Sequence, residues 1–365
     1  MAKRKRKTSG RSTASRRKNR TQDRMPAGLI TLFAGLVLMA LAFVPGSSAW
    51  RAMHDVLFGV FGCGSFVLGA ALCYLAILYT RGEDLLPHIA KLVLGLIFAS
   101  GTVIVFSDIP TDQTAAQMTP ELAALCPECV YVPLELLAEN PSVADAFREN
   151  GAEIVAALPS VAFGEKEESE LRALLAKVHE SGVTQALTGN LGLAMMAGQE
   201  GFRIRGDFDL AVMNSYTLSG MASAGFLSAM LSPELTFADI REMPKCTDAE
   251  LAIYGRLPVM VTQTCLLKAS AGRCTCTTPG QMADTRGGVW PVTKHFGCRN
   301  TVWAARKLWL GDVTQEWIDL GLWAVRLCFS TESARECLEV AESYIQGTHY
   351  KPNGITRGLY YRGVL

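Results

Sequence analysis

The sequence predicts a chain in two parts: a membrane α-helical amino-terminal region of two or three spans, then an α/β domain. That domain reads as a partial (β/α) barrel of the TIM type with a Cys-rich loop region. Three observations predict it. Uncharged apolar runs crowd the first 107 residues, short β-prone runs alternate with helical stretches after residue 126, and four cysteines gather between residues 265 and 298.

The composition agrees with a membrane portion. Only 19% of the 365 residues are charged, 49% are hydrophobic and the mean hydropathy is +0.20, whereas an ordinary soluble domain carries about 25% charged residues. Collagen-like, wholly disordered and small disulfide-scaffold classes are excluded. The net charge of +1 hides a split: residues 1–24 hold eleven Lys/Arg against Asp23, a net +10, so the rest of the chain carries 1 − 10 = −9.

Residues 1–26 form a basic tail without apolar periodicity, expected to be disordered and cytoplasmic. It is too long and too basic for a secretory signal. Spans are expected at 27–45, 56–80 and 89–106, since about 20 apolar residues match the hydrocarbon core. Small residues such as Gly35, Gly62 and Gly95 permit close helix approach. The expected location is therefore a multi-pass membrane protein in contact with lipid. Three spans put the remainder outside the cytoplasm; two return it.

Residues 108–125 read as a polar linker, and the α/β domain follows over 126–365. Strands are predicted at VYVPL (130–134), EIVAAL (153–158), TQALTG (184–189), DLAVM (209–213), LSAML (227–231) and ELAIY (250–254). Between them, Leu171, Leu174, Leu175 and Val178 recur at helical spacing over 166–180. Pro233 suits the first turn of a helix over 234–243, and Gly151, Gly182 and Gly225 suit helix ends. Six βα units fall short of the eight of a closed barrel, which leaves an incomplete barrel, one completed by a second chain, or unrecognised strands. Residues 301–346 read as mostly helical.

Cys265, Cys274, Cys276 and Cys298 form the pattern C-x8-C-x-C-x21-C. Four thiolates brought together can bind zinc or hold an iron–sulfur cluster; unrelated or disulfide-linked cysteines are the alternative. An odd total of eleven cysteines, unevenly clustered, argues for reduced thiols. Asp207 and Asn214 are candidates for the mouth of a barrel or for turn and cap roles, and Glu234 for a functional carboxylate or a helix first-turn acid. His295 reads as a solvated loop residue rather than a ligand, and Trp290, Trp303, Trp309, Trp317 and Trp323 as packing. Arg357, Tyr360, Tyr361 and Arg362 suit either nucleic-acid contact or an ordered terminus. There is no G-x-x-x-x-G-K-[ST] loop, hence no ATP site, and neither H-E-x-x-H nor G-x-S-x-G.

Two resemblances add to this reading. The basic tail, the closely spaced spans and the run LVLGLIFASGTVIVFSDI make residues 1–118 similar to the membrane domain of FtsK-type DNA translocases, without their motor. From about residue 126 onward the chain resembles the carboxy-terminal part of the U32 peptidase (collagenase-like) family. The matching runs are TGNLG, GDFDLAVMNS, LSPEL, YGRLPVM, the cysteine cluster, GCRN and TRGLYYRGV.

This second resemblance implies a barrel fold. It also implies a [4Fe–4S] cluster on Cys265, Cys274, Cys276 and Cys298, with Arg299 and Asn300 beside the last ligand. The implied activity is hydroxylation of an RNA base or a quinone precursor, with RNA as a partner. A collagenase-like protease outside the cell, and a non-functional fusion of two unrelated pieces, are the competing expectations.

Overall fold

The residues TVIVF, which end the third expected span, form a β-strand that opens a barrel. β1 (Thr102–Phe106) is followed by β2 (Cys129–Pro133), β3 (Glu153–Ala157), β4 (Gln185–Thr188), β5 (Arg203–Gly206), β6 (Ser228–Met230) and β7 (Asp248–Gly255), each parallel to the strand before it. The chain then leaves the barrel for an antiparallel sheet. Its strands β8 (Pro258–Thr262), β9 (Gly280–Ala283), β10 (Val289–His295) and β11 (Arg299–Trp303) lie in the order β8-β11-β10-β9. β12 (Lys307–Trp309) runs antiparallel to β7, and β13 (Ala324–Phe329) pairs in parallel with both β7 and β1, closing an eight-stranded barrel. A short β14 (Ile355–Thr356) adds to β12.

The helices in chain order are α1 (Thr111–Gln117), α2 (Pro120–Ala123), α3 (Leu134–Glu139), α4 (Asp145–Glu149), α5 (Gly164–Glu180), α6 (Leu191–Gln199), α7 (Ser215–Ser223), α8 (Phe237–Glu242), α9 (Leu266–Ala271), α10 (Thr314–Ile318) and α11 (Ala334–Gln346). This computed structural model describes residues 29–34, 36–37, 73–77, 79–80, 102–106 and 111–363. The first four stretches are helical and belong to a separate unit, 1–100.

Two expectations are corrected here. Among the described residues no helix is long and apolar enough to cross a membrane, which overturns the membrane region of the expected fold and the multi-pass localisation. The spans expected at 27–45 and 56–80, like the basic tail, lie largely outside the described residues. The third is overturned directly, because Thr102–Phe106 is a fully buried strand between β2 and β13. A parallel strand covered on both faces is apolar throughout, so its sequence carries no alternation to separate it from a membrane run. The same strand removes the end of the FtsK-like run from any membrane domain.

The barrel is also closed, not partial. Besides β1, the strands missing from the sequence reading are β5 and β13, and each carries an arginine that points into the barrel's polar interior. Two arginines among the four residues of β5, and one among the six of β13, disguised both. The predicted strand DLAVM is instead a 3-10 turn over Phe208–Leu210 followed by a single bridge from Val212 to Leu231. The predicted helix over 166–180 is α5, burying Leu171, Leu175 and Val178. Residues 301–346 alternate strand and helix.

Pro233 precedes α8 instead of opening it. Thr236 caps that helix: its Oγ1 accepts from Asp239 N at 3.1 Å while Asp239 Oδ2 accepts from Thr236 N at 3.0 Å. Thr236→Ala is expected to cost about 1 kcal/mol, read as a lower urea midpoint with an unchanged slope.

Candidate functional site

The carboxy-terminal ends of the barrel strands and the small sheet together enclose a cavity of about 360 Å³. Phe106 at the end of β1, Leu158 and Ser160 after β3, Gly189 after β4, Asp207 after β5 and Arg326 on β13 supply its barrel side. Pro258 to Val261 on β8 and Thr301 and Trp303 on β11 supply the other. In a (β/α) barrel this is the face where chemistry is placed, because the loops after the strands vary without disturbing the packed core.

The floor of the cavity is ionic. Arg326, 1% exposed, donates through Nη1 to Asp207 Oδ1 at 2.7 Å, through Nη2 to the Gly206 carbonyl at 3.2 Å, and through Nε to Glu250. Glu250 is fully buried and also accepts from Tyr131 Oη at 2.9 Å and from Ser228 Oγ. Below it, Arg205 donates to Gln185 Oε1 at 2.7 Å, Ser228 Oγ at 3.1 Å and Glu153 Oε2 at 3.0 Å. The Arg326 guanidinium lies 4.7 Å from the Tyr131 ring centroid. Burial pushes the Tyr131 hydroxyl well up, with the Glu250 charge adding to it, so it stays a donor. A ladder of alternating charge thus runs up the barrel axis and ends at Asp207, the one sequence-predicted candidate in the cavity wall. The same Oδ1 also accepts from Phe208 N at 2.8 Å, which fixes the carboxylate further.

The small sheet is fastened to the loop after β3 and to the first turn of α5 by two contacts. Arg299, 2% exposed, makes a bidentate pair with Glu167, both bonds 3.0 Å, and its guanidinium lies 4.8 Å from the Phe163 ring centroid. The pairing holds the Glu167 carboxyl below the ordinary carboxylate value. His295, 1% exposed, has its Nε2 3.1 Å from Ser160 Oγ and its Nδ1 3.3 Å from the Phe296 carbonyl. The expectation of a solvated histidine fails because β10 carries it under the sheet, against the barrel loop. Arg299 is correspondingly a docking residue beside the cavity.

All four predicted cysteines lie at one end of the small sheet, since β8 and β11 pair with Thr262 opposite Asn300. Cys265 follows β8, Cys298 precedes β11, and Cys274 and Cys276 lie between α9 and β9. Asn300 Oδ1 accepts from Leu266 N at 2.6 Å and so ties α9 to β11. Cys274 Sγ and Cys276 Sγ are 3.1 Å apart. Hydrogen bonds from the Cys276 main chain and thiol hold the Cys274 thiol below its ordinary value, with Lys268 and Lys294 adding to the effect. Cys265 Sγ accepts from Lys268 N at 3.4 Å, capping α9, and Cys298 adopts a left-handed backbone at φ 60°. Among the described residues no group of three or more His, Cys, Asp or Glu side chains stands in metal-holding geometry. Thiols are the donor type a thiophilic centre takes, and of the four sulfurs only the Cys274–Cys276 pair is shown in contact.

The remaining candidates serve the fold. Asn214 caps α7, its Oδ1 accepting from Thr217 N at 2.9 Å. Glu234 is exposed in the turn before α8. Trp303, Trp309 and Trp317 are buried packing residues. Tyr360, 1% exposed, stacks on Phe237 and donates to the Ala252 carbonyl at 2.9 Å, so the terminal aromatic segment is ordered against the barrel. Sequence reasoning missed Arg326, Glu250 and Ser160, and read the buried His295 as a solvated loop residue. A lone arginine inside AVRLCF was the one signal, since a charge in an apolar strand needs a buried counter-charge.

Residues 136–282 match the model of peptidase family U32, a stretch from α3 into β9 that carries six of the strands. Comparison with curated proteins gives no match. Among solved structures the chain is similar to orotidine 5'-phosphate decarboxylase from Pyrococcus horikoshii OT3 at 10% identity, covering 68% of this chain and 100% of that one with a TM-score of 0.37. It is similar to the U32 peptidase Mk0906 at 11% identity, covering 64% and 94% with a TM-score of 0.37. The spore cortex-lytic enzyme SleL of Bacillus cereus follows at 10% identity, covering 66% and 74% with a TM-score of 0.32. Likenesses this distant assign no activity.

Proposed function

We propose that this chain is a barrel enzyme whose substrate enters the cavity between the strand ends and the small sheet, and that it hydroxylates an RNA base or a quinone precursor by iron–sulfur chemistry. One observation carries the reading: the sheet that walls the cavity is the same sheet that carries all four cysteines. The U32 match over residues 136–282 lends support, since it takes in Cys265, Cys274 and Cys276, with Cys298 beyond its end.

Cys265, Cys274, Cys276 and Cys298 would hold the cluster, which when bound supplies one-electron transfer. The chain's own residues do the rest. Asp207 presents a fixed carboxylate to a substrate donor group, and Arg326 prevents it from turning away. Phe106, Leu158, Met260 and Trp303 shield the bound ring from water. Glu167 and Arg299 keep the sheet seated over the cavity.

Protein purified without oxygen is expected to be brown and to contain about four iron and four sulfide per chain. Cys274→Ser should lower both to background while leaving the far-UV dichroism unchanged. A colourless protein carrying zinc, or no metal, would sink the iron–sulfur reading.

A further inference from the structure

Ser160 and His295 take no part in that chemistry, yet Ser160 lines the cavity and His295 stands directly behind it. We propose that the two form a nucleophile–base pair, and that the cavity hydrolyses an acyl ester or amide with water as co-reactant. This activity goes beyond the hydroxylation reading and needs no metal.

The tautomer follows from the partners. A carbonyl oxygen only accepts, so the contact with Phe296 puts the proton of neutral His295 on Nδ1. Nε2 is then the acceptor, and Ser160 Oγ–H donates to it at 3.1 Å, within reach for proton transfer. Burial keeps His295 neutral by pushing its pKa down. The Phe296 carbonyl, Glu135 and Glu167 oppose that shift, and Arg299 supports it.

A cationic group stands in the same wall. Arg256 is fixed by two Nη1 bonds of 2.7 Å to the Ala304 and Ala305 carbonyls, and its Nε has no hydrogen-bond partner among the described residues. Arg256 lines the cavity, and a fixed positive charge there favours the negative charge that develops on an acyl oxygen.

The step balances as follows. Ser160 Oγ bonds to the acyl carbon while its proton passes to His295 Nε2. The bond to the leaving group breaks, and Nε2 returns the proton to the departing alkoxide or amine. A water, deprotonated by the same nitrogen, then cleaves the acyl-serine ester, giving the free acid and restoring the serine. A cavity of about 360 Å³ with Leu158, Leu187 and Met260 in its wall suits a compact apolar acyl group.

The test uses the full chain with p-nitrophenyl butyrate and a fluorophosphonate probe. The expected result is an adduct mapped to Ser160, lost in Ser160→Ala together with at least about 100-fold of ester turnover. His295→Gln should slow labelling comparably. Turnover should fall as pH drops through the lowered value of His295, below the ordinary 6.5. Absence of any adduct, an adduct elsewhere, or unchanged turnover in a folded Ser160→Ala would overturn the proposal. Iron content read on the same samples separates the two readings, since Ser160→Ala leaves the cysteines untouched.

Discussion

Replacing Arg326 by methionine is expected to lower stability by about 3–5 kcal/mol, measured as the free energy of urea unfolding. The methionine fills much of the same volume but leaves Glu250, fully buried, without its counter-charge and Asp207 without its strongest restraint. Tyr131 Oη and Ser228 Oγ still donate to Glu250, so the loss is that of the charge pair and not of every hydrogen bond. Glu250→Gln added to Arg326→Met should recover at least about 1 kcal/mol, because the neutral amide still accepts from both hydroxyls without burying a charge. A single variant within about 1 kcal/mol of the parent would mean that the ladder in the barrel interior is not electrostatically coupled.

Gly255→Ala is the second large effect expected, about 3–5 kcal/mol, from backbone strain and overpacking together. Gly255 ends β7 at φ +120°, outside the range comfortable for L-residues, and pairs with Cys328 across the seam that closes the barrel. An added Cβ would run into the Cys328 carbonyl oxygen and lie 2.9 Å from its carbonyl carbon. Neither β7 nor β13 can retreat, because β12 and β1 hold their far edges. Gly182→Ala is the control: it too has positive φ, +88°, but open space around the new methyl, so strain of about 1–2 kcal/mol is all it should cost. Equal losses in the two variants would show that the seam tolerates the methyl.

The sequence made five of the barrel strands legible, β2, β3, β4, β6 and β7, because short β-prone runs there are bounded by helical stretches and by glycine stops. It also marked the cysteine region as a unit, and the structure gathers those residues at one end of one small sheet. β1 was hidden for the opposite reason from β5 and β13. It is apolar enough to pass for a membrane run, whereas Arg205 and Arg326 make the other two look too polar for a core. The local pattern of a strand assumes an apolar interior, and this barrel's interior is partly a chain of paired charges.

The site was less legible than the fold. Asp207 could be nominated because strand ends at the mouth of a barrel host chemistry, but Ser160 and His295 lie 135 positions apart and neither sits in a motif. Their contact exists because the chain leaves the barrel after β7, builds a sheet and folds it back over the loop after β3. Composition and periodicity by themselves determined that this chain holds a β/α domain and a cysteine-rich loop region, since both are written in neighbouring residues. Closure of the barrel, the polarity of its axis and the make-up of the cavity were decided only by tertiary structure. They depend on which distant side chains share a low-dielectric interior, where an arginine is stable only beside the carboxylate that another strand delivers.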